Sequence, residues 1–171
     1  MQDRPFQLRP FRGDEVDELR KIERSAHRRY ARLPNFEKIV NAPAIAPERF
    51  STGETVVAEQ DGVRLGYVLA QPLDGMTYIA SIMVDDGCSG RGVGSALLEW
   101  VEQRSVETGS SAICLTTFKT PPWNGPWFRR HGFEDIPQAR IGPGLQAILD
   151  RHATFLDMAT RDTLWKPVSV R

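Results

Sequence analysis

The sequence predicts an α/β domain built on a mixed sheet with helices on both faces. Three observations carry that reading. Two apolar runs, Thr55–Gln60 and Val63–Gln71, flank Asp61-Gly62, a dipeptide suited to a tight hairpin because the turn needs positive φ. A longer apolar run, Met76–Val84, leads through a glycine-rich stretch into a helical pattern. Ala112–Phe118 then reads as another buried strand.

The remaining elements follow in order. Pro5–Phe11 alternates apolar and polar positions, as a half-buried strand does, and Gly13 breaks it. Asp14 is placed to cap a helix whose apolar positions Val16, Leu19, Ile22 and Ala26 recur at helical spacing, ending near Tyr30. Residues 33–50 hold three prolines and no sustained period, which predicts a short helix over Phe36–Val40 and then an irregular loop. Val93, Ala96, Leu97, Trp100 and Val101 line one face of a helix running to about Glu107, ended by Thr108-Gly109. Pro121-Pro122 stops the strand Ala112–Phe118; a short helix follows over Gly125–His131, and Gly132-Phe133 opens a further strand. Residues 144–152 read as helix, with Leu145, Ile148 and Leu149 on one side, and Thr160–Val168 closes the sheet. No internal repeat or low-complexity segment interrupts this order.

Bulk properties narrow the function classes. At 171 residues the expectation is a single domain over residues 1–171, large enough to form a core without metals or disulfides. Lys plus Arg and Asp plus Glu both number 22, so no global field draws the chain onto nucleic acid or an anionic membrane. The basic pairs Arg28-Arg29 and Arg129-Arg130 read as solvated helix faces. Two cysteines, Cys88 and Cys114, make no disulfide framework, and no apolar run approaches 18 residues. The expectation is a cytoplasmic protein with no nucleic-acid partner, no membrane partner and no metal; His27 and His152 lack partners at metal-ligand spacing.

The chemistry concentrates in Ser89-Gly90-Arg91-Gly92-Val93-Gly94-Ser95, between the strand ending at Val84 and the next helix. Alternating glycines let successive backbone N–H groups converge on an anion, because no Cβ blocks the approach. The helix start adds N–H donors and partial positive charge, so a phosphate is favoured there. Arg91 either contacts a phosphate or points into solvent. A Walker loop is excluded, since Gly94-Ser95-Ala96 offers no lysine. A dinucleotide fingerprint fits poorly, because Ser95 or Leu97 falls where its third glycine belongs.

The segment resembles the acetyl-CoA loop of the GCN5-related N-acetyltransferase (GNAT) superfamily, whose pattern is Gln/Arg-x-x-Gly-x-Gly/Ala. Gly92 and Gly94 match its small positions, while Ser89 departs from its first. Thr116-Thr117-Phe118 followed by Pro122–Phe133 is similar to the superfamily's late strand, helix and Gly-Phe strand start, and Leu156–Pro167 to a closing strand of its bacterial members. The resemblance covers most of the chain. It implies the acyl-CoA N-acyltransferase fold, with a mixed, largely antiparallel central sheet of about seven strands, and transfer of an acetyl group from acetyl-CoA to the amine of a small molecule. It also implies that backbone N–H groups at Ile82, Met83 and Val84 hold the thioester and pantetheine, that residues 89–95 hold the pyrophosphate, and that Asn124 contacts CoA.

The resemblance is incomplete where protons are handled. The superfamily often has a tyrosine acid in the helix before Gly-Phe, and this chain has Phe128 there. A glutamate base is often found on the central strand, where this chain has Ala80 and Ser81. Ser81 and Tyr30 are the replacement candidates, and Tyr30, Trp123 and Phe128 are candidates for the acceptor pocket. Structural readings stand beside these: Trp123 and Trp127 also read as packing, Cys88 as a small loop residue, His131 as a helix-end cap, and Asp85-Asp86 as either an attractor of a cationic amine or a solvated turn. The alternative function is a CoA-binding protein with little or no transferase activity, a sensor or partner. The protein is expected to be a monomer or a homodimer.

Overall fold

The computed structural model describes residues 4–169. Seven strands form one sheet in the order β1-β2-β3-β4-β5-β7-β6: β1 Gln7–Pro10, β2 Glu54–Gln60, β3 Val63–Leu73, β4 Met76–Val84, β5 Ala112–Phe118, β6 Glu134–Asp135 and β7 Arg161–Pro167. The sheet is mixed. β4 and β5 run parallel, with Thr77 opposite Ile113, whereas β1–β2, β2–β3, β5–β7 and β6–β7 are antiparallel. The helices are α1 Val16–Arg28, α2 Glu37–Val40, α3 Val93–Glu107, α4 Gly125–Arg130 and α5 Pro143–Ala153. Among the described residues no helix is long and apolar enough to cross a membrane.

The chain divides into two compact units. One takes in the chain up to Gln71 together with Ala80–Val101; the other takes Pro72–Ile79 and the chain from Glu102 onward. In the first, Leu19 and Ile22 of α1 bury against Phe50, Val57 and Tyr67, with Ile45 and Met83 packed on this cluster. The β2–β3 hairpin turns at Asp61 (φ 50°) and Gly62 (φ 78°), the positive-φ pair that the Asp-Gly sequence predicts. The helix expected from Asp14 begins differently. A 3-10 turn, Gly13–Glu15, precedes α1, and Glu15 rather than Asp14 organises the start by accepting the Arg12 N–H at 2.8 Å. Glu15 is 1% exposed and ligated by Arg9 (2.8 and 2.7 Å) and Arg64 (3.0 Å).

In the second unit, β5 pairs with β7 from Ala112↔Pro167 to Phe118↔Arg161. Its α5 is capped from a distance in sequence: the Asp74 carboxylate accepts the Gly144 and Leu145 N–H groups at 3.0 and 2.8 Å. Gly142 and Gly144 admit that carboxylate, since a Cβ on either would lie within 3 Å of Asp74 atoms.

Candidate active site

The first unit holds the end of β4 and the glycine loop. Met76–Ile79 are buried, whereas Ala80 through Val84 are half-exposed, so the strand that begins as core ends at accessible surface. Gly66 on β3 permits this crossing: a Cβ there would stand 2.7 Å from the Met83 carbonyl and 3.1 Å from a Val93 methyl. The first residue of α3 thereby packs onto the end of β4. Asp85 N–H then bonds the Leu65 carbonyl (2.9 Å), and the Asp85 carboxylate accepts Gly87 N–H (2.9 Å) to form a tight turn over Asp86–Cys88. The Asp86 side chain is held by Arg29 (3.0 Å) and Arg32 (3.3 Å), and its N–H donates to the Ser25 hydroxyl (3.0 Å). Asp86 therefore fastens the loop to α1 and the 3-10 turn that follows it, while Asp85 ties it to β3.

Gly90 and Gly92 adopt φ of 78° and 79°, a region that residues with a Cβ enter only with strain. Both face open space, for a Cβ on either meets no atom within 4 Å. The first helical bond of α3 runs from Ala96 N–H to the Gly92 carbonyl (3.0 Å), so the N–H groups of Gly92, Val93 and Gly94 precede the helical ladder. Arg91, Gly92 and Ser95 line a cavity of about 470 Å³ together with the ion-paired Arg4 and Glu99. Ser89 is exposed. Arg91 is exposed too, but its guanidinium is placed by the Gln60 side chain (2.6 Å) and faces the Cys88 sulfur at 3.8 Å. Positive-φ glycines, ladder-free amides and an arginine over open space fit a diphosphate.

Behind β4, the Ser81 hydroxyl lies 3.2 Å from the Tyr67 hydroxyl of β3. Burial, reinforced by the Glu23 charge, pushes the Tyr67 phenol well above its ordinary range, so it stays protonated. Tyr30 is buried at the end of α1, with its ring 5.2 Å from Phe36 and 6.3 Å from His27.

The second unit holds Trp123, Asn124 and Phe128. Asn124 precedes α4, its carbonyl accepting the Trp127 and Phe128 N–H groups (2.9 and 3.1 Å); it and Trp123 are half-buried. Phe128 is buried, edge-on to Phe133 (5.5 Å) and to Trp127 (4.9 Å). It packs as core. The His131 ring lies tilted against Trp127, 4.2 Å between centroids, with Nδ1 2.9 Å from the Trp127 carbonyl. Among the described residues no group of three or more His, Cys, Asp or Glu could hold a metal ion.

Residues 51–135 match the family model for the acetyltransferase (GNAT) domain. The chain belongs to the GNAT superfamily. Solved structures of other GNAT-fold proteins agree with the architecture. A GNAT acetyltransferase from Staphylococcus aureus superposes with a TM-score of 0.69 at 16% identity, covering 96% of this chain and 99% of that one. The PaiA N-acetyltransferase of Thermoplasma acidophilum, in complex with coenzyme A, gives 0.67 at 13% identity over 95% and 98%. A GNAT acetyltransferase from Brucella melitensis, in complex with acetyl-CoA, gives 0.56 at 22% identity over 75% and 82%.

One feature of this GNAT chain escapes the sequence pattern, and a second shows in it only in part. Tyr67 sits in an apolar strand, and only the β3–β4 neighbourhood pairs it with Ser81. Glu23 does carry a signal, since it lies four residues after Leu19 and three before Ala26, on the apolar face of α1, where a carboxylate is out of place. The cysteines also separate by environment. Cys114 is fully buried, and burial followed by the Asp74 charge pushes its thiol up to about 12, whereas Cys88 is half-exposed in the loop. Iodoacetamide is expected to label Cys88 and spare Cys114 in the native protein and to label both in guanidinium, as read by peptide mass spectrometry.

Proposed function

We propose that this protein is an acetyl-CoA-dependent N-acetyltransferase acting on the amine of a small molecule. The observation that carries the reading is the loop: Gly90 and Gly92 at positive φ, open in front, leading into amides that precede the α3 ladder. Bound there, acetyl-CoA supplies an activated acyl group as a thioester. Ser89 through Ser95 hold its pyrophosphate through backbone N–H groups and the Arg91 guanidinium. The backbone of Ile82, Met83 and Val84, residues half-exposed at the end of β4, polarises the acyl carbonyl, a role that needs N–H donors rather than particular side chains. Tyr30, in the same unit as the loop, borders the acceptor.

Ser81 relays the proton that the departing sulfur takes. Ser81 is half-exposed, so a proton it lends is replaced from solvent, while the Tyr67 phenol keeps its own proton and fixes the Ser81 hydroxyl from 3.2 Å away. Core-packed Phe128 has no proton to give. A positioned acid contributes about 10²–10⁴-fold. Ser81→Ala is therefore expected to lower kcat at least tenfold with CoA affinity unchanged.

The reading is tested by following free thiol while the protein, acetyl-CoA and phenethylamine, 1,4-diaminobutane or L-lysine are mixed. Amine-dependent release supports transfer. Tight CoA binding without release from a broad amine panel favours the second reading, a CoA-binding protein without transferase activity, for which the apolar Phe128 speaks.

A further inference from the structure

We infer that Glu23 binds the ammonium group of the acceptor amine and takes its proton, an assignment that rests on the acetyl-transfer reading above. Glu23 is the anomaly of α1. Its side chain is nine-tenths buried, on the helix face that also carries Leu19, Ile22 and Ala26. A buried carboxylate ordinarily has its oxygens fully engaged. Here Oε2 accepts the Ile45 N–H at 2.8 Å, while Oε1 accepts no hydrogen bond among the described residues. The nearest basic atom to Oε1 is His27 Nε2 at 3.9 Å, beyond hydrogen-bond reach. One oxygen of a buried acid thus stands ready for a donor that the chain does not provide.

The surroundings connect that carboxylate to the strands of the proposed site. Ile45, whose N–H holds Glu23, packs on the same cluster as Met83 of β4, and that cluster contains Tyr67, the partner of Ser81. The Glu23 charge is felt at Tyr67. The titratable and charged groups facing Glu23 are Arg20, Arg24 and His27 on α1, Arg49 on the 3-10 turn Pro47–Ser51, and Tyr67 on β3. Burial raises the Glu23 pKa; the Ile45 N–H and the arginines oppose it without cancelling it. Burial also lowers the His27 pKa, which weakens any charge pairing of that imidazole with Glu23. The proton step balances within the site. An ammonium N–H bond breaks, a Glu23 O–H bond forms, and nitrogen keeps the electron pair with which it attacks. The opposite charges disappear together, which a buried site favours, and Glu23 later returns the proton to water.

Glu23→Gln tests this, because the amide oxygen still accepts the Ile45 N–H but takes no proton. With phenethylamine, 1,4-diaminobutane and L-lysine as acceptors, the parent's kcat/KM should rise with pH through an ionisation above the ordinary carboxylate range. The variant should lose that limb and about 10²–10⁴-fold of kcat/KM at neutral pH. Its CoA affinity should match the parent's. Independently of turnover, the ¹³C carboxyl resonance of Glu23, assigned by its absence from the variant, should titrate above the ordinary carboxylate range and shift when the same amines are added without acetyl-CoA. A purely structural Glu23 would leave the pH profile in place. A variant within threefold of the parent with the same acidic limb, or a Glu23 resonance indifferent to all three amines, overturns the assignment while transfer stands. A parent that releases no thiol overturns both.

Discussion

Gly92→Val is expected to raise the dissociation constant for CoA by about tenfold to a hundredfold and to lower turnover in parallel. Gly92 holds φ of 79°, and a β-branched residue in that region costs roughly 1–3 kcal/mol. A valine relieves the strain by turning back to negative φ, which swings the 91–92 and 92–93 peptides and misaligns the amides that open α3. At about 1.4 kcal/mol per tenfold, the strain alone accounts for the lower end of the range, and lost phosphate contacts for the rest. The folded state should hardly notice, since Gly92 is exposed and its Cβ would meet open space. Titration calorimetry with CoA, set beside a thermal melt of the same samples, separates the two effects. Unchanged affinity would remove the loop from the binding site.

Glu15→Ala is expected to be the most destabilising single substitution outside the apolar core, by roughly 3–5 kcal/mol. Glu15 is buried, doubly bonded to Arg9, bonded to Arg64, and accepts the Arg12 N–H that starts the 3-10 turn before α1. Removing it leaves two guanidinium groups short of a partner, although Arg9 keeps Glu59 (2.6 Å). The same group gives acid sensitivity. Burial alone would raise its pKa, but Arg9, the Arg12 N–H and Arg64 outweigh that and bring it from 4.5 down to about 2. A depressed acid stabilises the fold fully above its unfolded value and loses that contribution as pH falls from about 4.5 toward 2. At ~1.4 kcal/mol per tenfold in proton affinity, the contribution is roughly 3 kcal/mol. Urea melts of parent and variant should therefore differ widely at pH 7 and converge near pH 2. A constant gap would deny the linkage.

The strand and helix order was legible because it depends on local patterns. Alternation gave β1, the Asp61-Gly62 turn gave the hairpin, and Thr108-Gly109 marked the end of α3. The conformation of the glycine loop was legible for the same reason, since the positive φ of Gly90 and Gly92 belongs to consecutive residues. Features made by pairing distant segments were not. Asp74 caps α5 across some seventy residues, and Gly66 reads as a weak point in a strand until Met83 and Val93 are seen against it. The register that brings Tyr67 beside Ser81 is equally invisible in one dimension. The resemblance sets Phe128 where the superfamily often has a tyrosine, and its edge-on contact with Phe133 makes it a core residue here. Glu23 was readable in part: the helical period assigns it to the buried face, and its unmet oxygen emerges only once Ile45 and His27 are in place.

The most direct test is an amide ¹H–¹⁵N map of the uniformly labelled protein with coenzyme A added stepwise. The largest shifts should fall on Gly90, Gly92, Val93 and Gly94 and on Ile82 through Val84. Shifts centred instead on the apolar cavity beside β1, at Phe11, Phe50 and Trp100, or a spectrum unmoved at millimolar coenzyme A, would contradict the account.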